Sequence, residues 1–130
     1  MRQIQKLIKK TSSLYQIISA RSSRVYFKKL FYNFYNTHSE CAYEIARILG
    51  KNSIVPEIVP LLQWRKIRNR GKKGILEFCR DTEIRILECL KEILSLTVNK
   101  EEAMVIRSRI ENGKSNVDLI NQLLKDPFLC

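Results

Sequence analysis

The stretch from Val25 to Leu49 reads VYFKKLFYNFYNTHSECAYEIARIL, and its spacing decides the fold class. Phe27, Phe31, Phe34, His38, Cys41, Ile45 and Ile48 recur at alternating steps of four and three. At 3.6 residues per turn, that alternation sets all seven on one side of a helix. Gly50 and Asn52 supply a C-terminal stop, and Ser23 stands where an N-cap is wanted. The segment therefore predicts a helix over about 24–50.

The same stripe recurs on both sides of it. Ile4, Leu7, Thr11, Leu14 and Ile18 predict a helix over about 2–20. Ile75, Phe78, Thr82, Ile86, Cys89 and Ile93 predict a third over about 73–96. Ala103, Ile106, Ile110, Gly113, Val117, Ile120 and Leu124 predict a fourth over about 100–125. Asn99 is its N-cap, with Glu102 three residues on in the form of a capping box, and Asp126-Pro127 ends it. Pro56, Pro60 and Gly71 punctuate residues 51–72. Proline fits a first helical turn, so a short helix near 56–68 is expected there. Short links join the first two helices and the last two, and a long, partly helical crossover joins the second to the third. That order predicts an all-α, ferritin-like four-helix bundle, with residues 1–130 as one domain.

Composition narrows the class further. Four Gly and three Pro are too few for an all-β fold of short strands. No apolar run approaches the roughly 18–20 residues of a membrane-spanning helix. The basic start, Met1 to Lys6, is followed by no apolar core of a secretory leader, so none is expected. Cys41, Cys79, Cys89 and Cys130 form no CxxC pair. That pattern suits neither a zinc site nor a disulfide framework, and it points to reduced thiols and a cytoplasmic protein.

Charge is unevenly placed. Of the overall net charge of +11, residues 1–73 carry +13 and residues 74–130 carry −2. Arg65, Lys66, Arg68, Arg70, Lys72 and Lys73 crowd into the ten residues from Trp64 to Lys73. Such a run suits an anionic partner: nucleic acid, an acidic protein face or a lipid headgroup. The competing reading is a solvated, solubilising surface. Trp64 is the only aromatic residue within the run, which is few for a nucleic-acid module.

Each apolar stripe carries a weak position near its middle: Thr11, His38, Thr82 and Gly113. In register, these would form one layer, with Glu83 and Lys114 beside it. A polar layer at mid-bundle is where ferritin-like proteins hold metal, through inward carboxylates and Glu-x-x-His pairs. Glu40 with Glu44 and Glu88 with Glu92 share helix faces, but neither pair has a His three residues on. The favoured reading of His38 is a core histidine hydrogen-bonded to Thr11, Thr82 or water. His38 and Cys41 are three apart on the core stripe, where a buried thiol is ordinarily inert.

The run Lys73-Gly74-Ile75-Leu76-Glu77-Phe78-Cys79-Arg80-Asp81-Thr82-Glu83, continuing to Leu90-Lys91-Glu92-Ile93-Leu94, resembles the third bundle helix of a bacterial ferritin-like family of unknown function. The shared features are an Ile-Leu-Glu-x-Cys run and an acidic residue four positions after the Cys, here Glu83. Tyr15, Leu49-Gly50 and Trp64 match family positions too, Trp64 after a gap of several residues in the crossover. The resemblance implies a four-helix bundle, and it carries over Glu83 alone as a metal ligand. Thr82 replaces the family's usual Gly, and Lys114 falls near its fourth-helix His, where a cation would be repelled. The implied di-iron site is thus incomplete, and no cofactor is expected. Iron or manganese held by His38 and Glu83 is the minor alternative.

The function expected is a non-catalytic bundle, stress-related or partner-binding. An anion- or nucleic-acid-binding module using the basic crossover is the alternative, and a di-metal protein the third. Tyr26, Tyr32, Tyr35 and Tyr43 lie off the main stripe, and Tyr32 and Tyr43 share a face three turns apart. Packing of this belt against residues 54–68 is preferred to a homodimer contact.

Overall fold

The structure is a computed structural model, and it describes residues 2–50 and 58–126. All regular structure among the described residues is helical. The helices are α1 (Arg2–Arg21), α2 (Val25–Leu49), α3 (Ile58–Ile67), α4 (Gly71–Leu96) and α5 (Lys100–Leu124), with a single 3-10 turn at Arg68–Arg70 between α3 and α4. The short crossover helix is thus present as α3; Asn52, Pro56, Pro127 and Cys130 lie outside the described residues. The chain divides into two compact units, Met1–Lys66 and Ile67–Cys130.

The first unit is built on the α1–α2 hairpin. Ile4, Leu7, Thr11, Leu14 and Ile18 are all buried, and so are Phe27, Phe31, Phe34, His38, Cys41 and Ile45. Ile48 is only half-buried. Rings fill much of this core. Tyr15 lies 5.7 Å from Phe31 and 5.5 Å from Phe34, centroid to centroid, and Phe31 meets Phe34 edge-on at 5.7 Å. Edge-on and tilted contacts bring the positive rim of one ring toward the negative face of the next.

The turn is made by serines and one lysine. The Ser22 amide and hydroxyl both donate to the Ile18 carbonyl, at 2.9 and 2.6 Å, closing α1. Ser19 Oγ donates to the Lys28 carbonyl at 2.8 Å. Lys28 Nζ donates to the carbonyls of Ala20 (3.3 Å) and Ser19 (3.5 Å). A cation there also complements the negative end of the α1 dipole. The N-cap of α2 is Arg24 instead of the expected Ser23, and its side chain makes no capping hydrogen bond. The extended chain continues one residue further than the serine pair suggested.

The second unit holds the α4–α5 hairpin. Asn99 caps α5 as expected, its side chain accepting from the Glu102 amide at 3.1 Å. The stripe of α4 is rotated by one residue from the expected one. Leu76, Cys79, Glu83, Ile86, Leu90 and Ile93 are buried, with Leu87 beside them, whereas Ile75, Phe78, Thr82 and Cys89 are half-buried. Both series follow helical spacing and share Ile86 and Ile93. The apolar arc of α4 is broad, and setting Glu83 beside the stripe instead of on it picks the wrong edge of that arc.

On α5, Ala103, Ile106, Ile110, Gly113 and Ile120 are buried. Gly113 faces Leu87: a Cβ there would lie 2.6 Å from Leu87 Cδ2. The glycine is thus a point of close helix approach, and its neighbour is Leu87 instead of the polar residues expected at its height.

Two glycines take backbone conformations that L-residues avoid. Gly50 ends α2 in the left-handed region (φ 71°, ψ 16°), as its place in the sequence predicts. Gly71 opens α4 at φ 75°, ψ 176°, a region almost reserved for glycine. It is the bend that lets the 3-10 turn give way to a fresh helix.

Candidate anion-binding surface

The basic run spans the end of α3, the 3-10 turn and the start of α4. Arg65 and Lys66 close α3, Arg68 and Arg70 flank Asn69 in the turn, and Lys72 and Lys73 stand in the first turn of α4. Arg65, Lys66, Arg68, Arg70 and Lys73 are exposed, and Lys72 is half-buried. Among the described residues, none of the five exposed cations has an ion-pair partner.

The backbone adds to this charge. Arg70 is the N-cap of α4 and provides no side-chain acceptor, and the first turn holds no acid. The leading N–H groups of α4 and the positive end of its dipole, equivalent to roughly half a charge, therefore coincide with Arg70, Lys72 and Lys73. Cations at a helix N-terminus disfavour the helix by about 0.3–1 kcal/mol each, and an anion reverses the sign. The α2 N-terminus has the same character: Arg24, Lys28 and Lys29 surround an uncapped first turn without an acid. By contrast α5 begins conventionally, with Glu101 and Glu102 behind its Asn99 cap.

The mid-stripe polar residues satisfy themselves locally. Thr11 Oγ1 donates to the Leu7 carbonyl at 2.7 Å, and Thr82 Oγ1 to the Phe78 carbonyl at 2.9 Å. His38 Nδ1 lies 2.7 Å from the Phe34 carbonyl; a carbonyl only accepts, so this nitrogen carries the proton. This acceptor, four residues back on its own helix, is one the sequence reading did not name. The Tyr15 ring meets the imidazole edge-on at 5.0 Å. His38 and Glu83 are 5% and 1% exposed and belong to different units. Among the described residues, no group of three or more His, Cys, Asp or Glu side chains is placed to hold a metal ion.

Two features escaped the sequence reading. Ser12 joins the hairpin by donating to the Tyr35 carbonyl at 3.2 Å, and its hydroxyl lies 2.6 Å from that of Ser39. Of the tyrosine belt, Tyr26, Tyr32 and Tyr43 are 55%, 54% and 66% exposed and Tyr35 is half-buried; of the residues 54–68 expected to cover it, 54–57 lie outside the described residues. The polar residues around them give the signal, since Asn33, Asn36 and Arg47 share that side of α2. No helix among the described residues is long and apolar enough to cross a membrane. No family model, curated protein or solved structure matches the chain.

Proposed function

We propose that this chain is a non-catalytic, ferritin-like helical scaffold whose basic segment, Arg65 to Lys73, binds a polyanion. The observation that carries the reading is the run of five exposed cations, without ion-pair partners among the described residues, that leads along the chain from the end of α3 into the uncapped first turn of α4. Folding alone gives no reason to gather positive charge at the positive end of a helix dipole. An anionic partner does, because it relieves the repulsion and gains contacts with all of them. The ferritin-like part rests on four long helices in the expected order and on the resemblance of residues 73–94.

The test is binding of inorganic polyphosphate across a salt series. Affinity should fall steeply, log K declining linearly with log salt concentration. Each phosphate that a cation neutralises contributes roughly 0.7–0.9 to that slope. Changing Arg65, Lys66, Arg68 and Arg70 together to Gln should therefore flatten it by about three units. Absence of binding at low salt, or an unchanged slope in the variant, would overturn the proposal.

A further inference from the structure

We infer that the outward face of α2 is a stacking platform for single-stranded nucleic acid. The inference rests on the polyanion reading and names the class of polyanion. Val25, Lys29, Tyr32, Asn36, Tyr43 and Arg47 recur at helical spacing along one line of α2, and all six are exposed. Tyr32 and Tyr43 are separated by eleven residues, about 16 Å of helix. Tyr26 and Asn33 flank the line, and Lys28 borders it on the other side. Glu40 is the exposed carboxylate on this face.

The composition discriminates among partners. Protein-binding faces are also rich in tyrosine and arginine, but they are depleted in lysine. Here Lys28 and Lys29 lie beside Tyr26 and Tyr32, Arg47 follows Tyr43, and Glu40 is an acid on the same face. Exposed rings spaced among Lys and Arg are what an unpaired strand requires: bases stack on the rings while cations hold the phosphates. Asparagine adds donors and acceptors for base edges. A duplex keeps its bases stacked on one another and offers the rings nothing.

The placement of the rings also argues for use. The core-facing stripe of α2 is already complete with Phe27, Phe31 and Phe34, so the outward tyrosines contribute little to the hairpin's stability. Tyr32 does lie against Tyr35, ring centroids 6.1 Å apart, which steadies one ring.

The experiment uses the full chain and a labelled oligouridylate of about a dozen nucleotides, read by fluorescence anisotropy, with inorganic polyphosphate and a duplex of equal length as comparators. Tyr32→Ala with Tyr43→Ala should weaken oligouridylate binding at least about tenfold and leave polyphosphate binding unchanged. Phe at both positions should retain binding, because the ring is what stacks. Both sites are exposed, so the fold should survive, which circular dichroism checks. Oligouridylate binding that ignores the Ala pair, or a duplex bound equally well, sinks this inference while leaving the polyanion reading standing. A homodimer that the Ala pair dissociates would assign the face to self-association and overturn it too. If neither polyphosphate nor oligouridylate binds at low salt, both readings fall.

Discussion

The α1–α2 hairpin packs rings, and the α4–α5 hairpin packs branched aliphatics against a glycine. Tyr15, Phe27, Phe31 and Phe34 fill the first core; Ile86, Leu87, Leu90, Ile93, Ile106 and Ile110 fill the second. Beside the rings, the small residues Ser12 and Ser39 let α1 and α2 approach, their hydroxyls 2.6 Å apart. At Gly113, α5 has no side chain and Leu87 occupies the vacated space. The first unit is the more basic, and the second carries its excess of cations at its start, in Arg68, Arg70, Lys72 and Lys73. Two helical hairpins in one chain thus have one backbone plan and different surface chemistry.

The largest test of that contrast removes a ring. Phe31 is 1% exposed and touches Tyr15, Phe27 and Phe34. Phe31→Ala should cost about 3–5 kcal/mol in urea unfolding. Phe31→Leu keeps most of the apolar area and gives up the ring–ring attraction, about 0.5–1.5 kcal/mol per pair, so it should fall clearly between wild type and Ala. In the second hairpin Ile106→Ala should cost about 2–5 kcal/mol, with no ring contribution. A Phe31→Leu variant as stable as wild type would mean that area alone, and no ring geometry, holds the first core.

How much of this was legible in the sequence depended on how narrow each apolar arc is. The α2 stripe is walled by Lys28, Lys29, Asn33, Asn36 and Arg47, so only one face qualifies as the inner one; every residue the spacing names down to Ile45 is buried, and Leu30, Ala42 and Ala46 beside it are buried too. The α4 stripe has apolar residues on two adjacent lines, and the one-residue rotation follows from placing Glu83 beside the stripe. Caps were readable where the side chain itself does the capping, as at Asn99, and unreadable at Arg24, where it does not. For the candidate site, the basic run was visible as composition. The exposed tyrosines were legible only through their neighbours Asn33, Asn36 and Arg47, a signal weaker than the run of cations.

Capping offers an intermediate test with opposite signs in the two hairpins. Asn99→Ala removes an acceptor from the Glu102 amide and should cost about 1 kcal/mol. Arg24 already has the extended N-cap backbone, φ −85° and ψ 132°, without a capping bond. Arg24→Asp supplies an acceptor and a negative charge at the positive end of α2, and should stabilise by about 0.5–2 kcal/mol. If Arg24→Asp gains no stability, the uncapped end is not a folding liability, and the contrast with α5 loses its force.

The smallest effect probes the close approach in the second hairpin. Gly113→Ala gains about 1 kcal/mol in helix propensity, and it sets a methyl against Leu87 that the side chain must move to admit. Overpacking of that kind costs about 1–3 kcal/mol, so the net loss should be small, about 1 kcal/mol. The informative quantity is the coupling. Leu87→Ala alone opens a cavity, and in that background the added methyl no longer meets an obstacle and instead fills part of the space. Gly113→Ala should therefore change sign, destabilising the wild type and stabilising Leu87→Ala. A double-mutant cycle by urea unfolding reads this as an interaction energy of about 1–3 kcal/mol. Simple additivity would mean that α5 can step back from α4 without cost, and that the glycine is not what sets their separation.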